Sequence, residues 1–211
     1  ALSGPLRNLE TSVTRCHLGV ENKVISAYAS ALACLVEDET QLGVTCIDMG
    51  GGTTSIAVFF DGELVHTNII PIGGVHVTND IARGLSTPLK QAERMKTLYG
   101  SALPSSLDDR EIVTVSRVGE DSSAEASQVP RSLLVGIIRP RVEETLEMVR
   151  DGLKDAGFDK VAGRRIVLTG GASQLPGVRE LASRIIEKQV RMGRPLAIDG
   201  MAEATAGPAF A

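Results

Sequence analysis

Asp48 precedes Met49, three consecutive glycines (Gly50, Gly51, Gly52) and two threonines (Thr53, Thr54), with an apolar run on either side. A carboxylate at a strand tip can hold a hydrated cation. A neighbouring turn without Cβ atoms lets backbone N–H groups close on a bulky anion such as phosphate. The same residues also make an ordinary glycine hairpin, and threonines suit strands by propensity alone. A second glycine pair, Gly170-Gly171 followed by Ala172, stands between a strand pattern and a helix start, where a helix N-terminus favours anions or serves packing. Glu93 and Lys96 lie three apart on one helical face, a spacing that by itself makes a surface ion pair.

These residues need a scaffold, and the hydropathy pattern supplies one. Strands are predicted at 43–48, 54–60 and 63–71, with Asp61-Gly62 as a two-residue hairpin turn between the last two. Ahead of them come an amphipathic helix at 5–18 (Leu6, Leu9, Val13 and Cys16 on one face), a short strand at 23–27 and an Ala-rich helix at 28–37. After the meander, Val75 to Leu85 and Pro88 to Tyr99 read as helices, the second capped by Ser86 or Thr87. Residues 100–131 are loop-rich, with one strand at 111–118 and a polar tract at 119–128 that reads as a mobile loop or solvated surface. A long helix is predicted at 131–156. Its buried stripe is Leu134, Ile138, Val142, Leu146, Val149 and Leu153, and Pro140 kinks it or marks its true start. A strand at 164–169, the Gly170 turn and a helix at 177–189 follow.

Composition excludes several classes. The chain has 211 residues, 43% of them hydrophobic and 23% charged, which is globular. Aromatics at 3% and a net charge of -4 argue against nucleic acid as a partner. Cys16, Cys34 and Cys46 form no CxxC pair and read as buried small hydrophobes in a reducing cytoplasm. The three histidines lack metal-ligand spacing, and no stretch is apolar enough to span a membrane. Both ends read as cut, which predicts a piece of a longer protein.

In their order, these pieces resemble the actin-like ATPase fold (ribonuclease H-like): a mixed α/β sheet flanked by helices, with an inserted α+β subdomain. The Asp48–Thr54 hairpin is similar to that fold's second phosphate motif. The run from Ile166 to Gly177, with Gly170, Gly171 and Ala172 at its turn, is similar to its adenosine motif. Residues 27–35 and 202–211 look like its two connecting helices. Within the fold, Thr78-Asn79-Asp80-Ile81-Ala82-Arg83-Gly84-Leu85, Ala92-Glu93-Arg94-Met95-Lys96 and Ile137-Ile138-Arg139-Pro140-Arg141 resemble the FtsA family of bacterial cell-division proteins. The resemblance divides the chain into 1–36 (part of subdomain IA and the connecting helix), 37–72 (IIA, first part), 73–163 (IIB) and 164–211 (IIA, second part).

The resemblance implies ATP and Mg²⁺ as cofactors. Asp48 would orient Mg²⁺ through water, and Gly50, Gly51, Gly52, Thr53 and Thr54 would meet the β- and γ-phosphates. Glu93 and Lys96 would face ribose and base, and Gly170, Gly171 and Ala172 the adenosine. It also implies self-association into filaments at the cytoplasmic face of the inner membrane, anchored by a C-terminal helix absent from these residues. FtsZ would bind through its C-terminal tail on subdomain IIB, where Arg139 and Arg141 are candidates for the tail's carboxylates or form a solvated helix face. The family's place for a water-positioning group falls at Ala27 or Tyr28, which implies slow ATP hydrolysis at most and an inactive isolated chain. The alternatives are another scaffold of the same fold, similar to the pilus-assembly protein PilM or the rod-shape protein MreB, and an ATPase or kinase.

Overall fold

The computed structural model describes residues 3–116, 118, 127–160 and 163–195. Three strands form a meander: β1 (Val44–Met49), β2 (Thr54–Phe60) and β3 (Glu63–Ile70). Asp61 and Gly62 join the last two with φ of 51° and 79°, the pair of positive values that a tight hairpin turn demands. Two further strands, β6 (Arg165–Thr169) and β7 (Gln189–Met192), add in parallel to the other side of β1, giving the order β3-β2-β1-β6-β7. The expected mixed sheet flanked by helices is therefore what the chain forms.

The central strands are apolar on both faces, so both faces must be covered. On one, α2 (Ser26–Cys34) presses Ala27, Ala31 and Cys34 onto Val44, Cys46, Ala57, Phe59 and Val167. On the other lies a larger core built by residues inserted between β3 and β6: α4 (Gly74–Gly84), α5 (Leu89–Tyr99), the hairpin β4 (Ile112–Val115) and β5 (Ser127–Pro130), and α6 (Arg131–Asp155). The predicted stripe of α6, Leu134 through Leu153, is buried along its length, and the helix runs continuously through Pro140, so that proline is not its start. After β6 come a 3-10 turn (Gly171–Gln174) and α7 (Val178–Ile186).

Several expectations are corrected. Residues 23–27 form no strand: Val24 and Ile25 stand exposed, and the chain enters α2 at Ser26. That helix ends at Cys34 and a short α3 (Glu37–Leu42) follows it. The helix expected to reach 189 stops at Ile186, where Glu187 turns left-handed (φ 58°) and frees β7 to pair with β6. Thr87 does not cap α5; its hydroxyl donates to the Ser116 carbonyl at 2.6 Å instead. Strand β5 was not anticipated. Cys34 and Cys46 are buried, and burial pushes the Cys46 thiol up, but Cys16 is exposed. The first helix, α1 (Ser3–Arg15), forms but ends before Cys16, three residues short of the expected end, and Leu6 and Leu9 stand exposed among the described residues. Most of the polar tract, 119–126, and residues 202–211 lie outside the described residues.

One buried charge cluster ties the edge of the sheet to α3. The Glu39 carboxylate accepts from Arg191 Nε at 2.7 Å, and Arg165 Nη1 lies 3.6 Å away. The Arg191 hydrogen bond outweighs the burial that opposes it and holds the Glu39 carboxyl below its ordinary value of 4.5. A carboxyl lowered in the folded state stabilises above its unfolded pKa, and that stability fades as pH falls through the lower folded value. Glu39→Gln should therefore destabilise at neutral pH, and the gap from the parent should close in urea titrations as pH falls through the lowered folded value of the Glu39 carboxyl. A gap unchanged with pH would contradict this.

Candidate functional site

Two glycine turns meet at the end of β1. The carbonyls of Gly50 and Gly51 accept from the N–H groups of Gly74 (2.9 Å) and Val75 (2.8 Å), which seats the β1–β2 turn on the first turn of α4. The approach is so close that a Cβ on Gly73 would lie 2.5 Å from the Gly50 oxygen and 2.7 Å from that of Gly51. No side chain fits there. On its outer side the turn is open: a Cβ on Gly51, Gly52 or Gly171 would meet nothing within 4 Å. Beside it lies a cleft of about 420 Å³, lined by Gly50, Gly51, Gly74, Glu93, Lys96 and Ala172 over an apolar floor that includes Val77, Val142 and Leu175.

Three segments far apart in sequence thus converge. A Cβ on Gly74 would be 3.3 Å from the Ala172 Cβ and 3.5 Å from Lys96 Nζ. Glu93 and Lys96 are more than a surface pair. Lys96 Nζ donates to Glu93 Oε2 (2.7 Å), to Thr78 Oγ1 (2.9 Å) and to the Gly74 carbonyl (3.1 Å), and Thr78 donates to Glu93 as well. Burial pushes the Glu93 carboxyl up, but the hydrogen bonds from Lys96 and Thr78 outweigh it and hold the carboxyl below its ordinary value. The network fixes α5 against the start of α4, with both charged groups at the cleft wall.

Other predicted residues are used differently. The Gly50 N–H donates to the Thr53 carbonyl at 2.9 Å and closes the turn; among the described residues, the N–H groups of Gly51 and Gly52 have no protein acceptor. Thr54 corrects the expectation of a hydroxyl donor to ligand: it is buried and donates to the Ile72 carbonyl at 2.8 Å. Thr53 is exposed at the turn. Gly170, with φ 86°, stands against β1: a Cβ there would lie 2.4 Å from Asp48 Oδ1. Asp48 accepts from Ser30 Oγ of α2 at 2.6 Å. Ala27 is buried in the core, and the ring of Tyr28 stacks on Phe59 at 6.0 Å.

Arg139 and Arg141 lie on α6, away from the cleft lining. Arg139 pairs with Glu143 (2.7 Å), while Arg141 bonds Asp80 of α4 through Nη2 (3.2 Å) and pairs with Glu144. Sequence reasoning missed Gly73-Gly74 as part of the site, although a glycine pair between a strand and a helix is the same signal that singled out Gly170-Gly171. It also missed Thr78 and Ser30, which carry no local signal.

A mixed sheet with two glycine turns flanking one cleft defines a protein of the actin-like ATPase fold. Among solved structures, MreB5 of Spiroplasma citri bound to ADP superposes with a TM-score of 0.71 at 19% identity, covering 90% of this chain and 60% of that one. A PilM-PilN type IV pilus biogenesis complex gives 0.68 at 17% identity, over 92% of this chain and 49% of that one. The family model "Cell division protein FtsA" matches residues 45–211, and the chain belongs to that family. It is 54% identical over 205 residues to the cell division protein FtsA of Rhizobium meliloti (97% of this chain, 46% of that protein) and 38% identical over 215 residues to that of Escherichia coli K12 (97% and 50%). The chain spans about half the length of these curated relatives. Among the described residues, no helix is long and apolar enough to cross a membrane.

The two glycines respond oppositely to alanine. Gly73→Ala drives a Cβ into two carbonyl oxygens of the backbone and should cost roughly 1–3 kcal/mol of stability, the range for overpacking. Gly51→Ala meets open space and should stay within about 0.5 kcal/mol of the parent, as surface changes do. Chemical denaturation of both variants checks the pair; equal costs would contradict the geometry.

Proposed function

We propose that the cleft between the β1–β2 turn, α5 and the 3-10 turn binds ATP with Mg²⁺, and that nucleotide governs assembly of a cell-division protein. The observation that carries this is the convergence of Gly51, Gly171 and the Glu93–Lys96 pair on one cavity, in a chain of the FtsA family. The residues fit such a group. Gly51 and Gly52 offer unpaired N–H groups where a Cβ would intrude on a phosphate, and Gly171 with Ala172 leaves room for adenosine. The apolar floor suits a base. Asp48 would hold Mg²⁺ through water, and the metal would balance the phosphate charge. Glu93 and Lys96 stand where ribose hydroxyls can exchange hydrogen bonds with them.

In this reading the protein, at the full length of its relatives, polymerises and links FtsZ filaments to the cytoplasmic membrane, recruiting later division proteins at the septum. The FtsZ C-terminal tail would reach α6, where Arg139 and Arg141 supply positive charge. Family membership supports this role. Because both arginines already hold carboxylates, an acidic tail would compete with Glu143, Asp80 and Glu144 for them.

Calorimetry on the full-length protein tests the reading. ATP should bind in Mg²⁺, and Asp48→Ala should weaken that binding by at least about tenfold, the order of one charge-assisted contact. Unchanged affinity would overturn the phosphate site. A peptide of the FtsZ tail should bind the folded protein by fluorescence anisotropy and lose affinity in Arg141→Ala. No detectable binding would remove the FtsZ reading and leave the cleft standing.

A further inference from the structure

Ser30 lies in the middle of α2, where a serine hydroxyl ordinarily turns to solvent or back to a carbonyl of its own helix. Here it does neither: its Oγ donates to Asp48 Oδ2 at 2.6 Å, joining residues 18 apart in sequence. Its helix neighbours Ala27, Ala31 and Cys34 pack beneath the sheet, so α2 is held at a fixed distance from β1. On the far side of the carboxylate stands Gly170, where a Cβ would lie 2.4 Å from Oδ1. Asp48 is thus tied at one oxygen and bounded at the other.

Among the described residues, no lysine, arginine or histidine lies within ion-pair distance of Asp48, although the residue is half-buried. A fully buried carboxylate is almost always paired with a cation, and Asp48 is partly withdrawn from water without one among the described residues. The group that fixes it is instead a neutral donor. A hydroxyl orients the carboxylate without cancelling its charge, whereas a lysine at the same place would spend that charge inside the protein. Serine is also a poorer helix former than alanine, so position 30 gains nothing for α2 itself.

We infer that Ser30 is a positioning residue for the metal-facing carboxylate: its hydroxyl locks the Asp48 rotamer so that the remaining lone pairs face the hydrated Mg²⁺ of a bound nucleotide. This rests on the nucleotide reading above and adds to it the residue, on a different element, that sets the carboxylate's geometry.

The test is the affinity of a fluorescent ATP analogue for the full-length protein, measured in Mg²⁺ and in EDTA, with the thermal midpoint recorded alongside. Ser30→Ala should weaken binding in Mg²⁺ by about tenfold, the order of one charge-assisted hydrogen bond. It should leave affinity in EDTA and the midpoint unchanged, and Ser30→Thr, which keeps the hydroxyl, should restore the Mg²⁺ value. If Ser30→Ala lowers the midpoint and both affinities together, the role is structural and the inference fails. If Asp48→Ala abolishes the Mg²⁺ dependence while Ser30→Ala keeps it, the inference fails and the site stands. If the parent protein shows no Mg²⁺-dependent binding, the site reading fails and takes the inference with it.

Discussion

Two backbone hydrogen bonds, from Gly74 and Val75 to the carbonyls of Gly50 and Gly51, set the distance between the sheet and the inserted segment. They occupy the carbonyls of Gly50 and Gly51, while among the described residues the N–H groups of Gly51 and Gly52 have no protein acceptor. That polarity makes the turn receptive to an anion; carbonyls on the open side would repel one. The contact also uses the first N–H groups of α4, which a helix cannot satisfy internally. Gly73 makes the approach possible because any Cβ there would collide with backbone oxygens.

The rest of the cleft follows from that contact. Lys96 ties α5 to Gly74 and Thr78, so the wall that carries Glu93 is held against α4 and hence against the glycine turn. Further along α4, Asp80 holds Arg141 of α6, the helix whose buried stripe supports the whole insertion. One helix therefore touches the glycine turn at one end and the α6 arginine at the other. On the opposite face of the sheet, α2 reaches Asp48 through Ser30, so the end of β1 is gripped from both sides.

Much of this was legible where chemistry is local. The meander follows from its apolar runs and the Asp61-Gly62 turn, α6 from its stripe, and the cleft from glycine runs at strand ends. What was not legible depends on partners distant in sequence. Strand β7 forms because β6 offers an edge, although its first residue, Gln189, reads as the end of the preceding helix and the rest carries no strand signal. Thr54 and Gly50 look like ligand donors until Ile72 and Thr53 accept their hydrogens. Ser30 looks like any helix serine until the fold brings it to Asp48. Arg141 reads as exposed positive charge, yet Asp80, 61 residues away, occupies it.

The most direct measurement is a crystal structure of the full-length protein grown with Mg²⁺ and a non-hydrolysable ATP analogue. The account predicts phosphates against the N–H groups of Gly51 and Gly52, a hydrated metal facing Asp48, and the nucleoside between α5 and Gly171–Ala172. A nucleotide bound elsewhere, with this cleft empty, would contradict it.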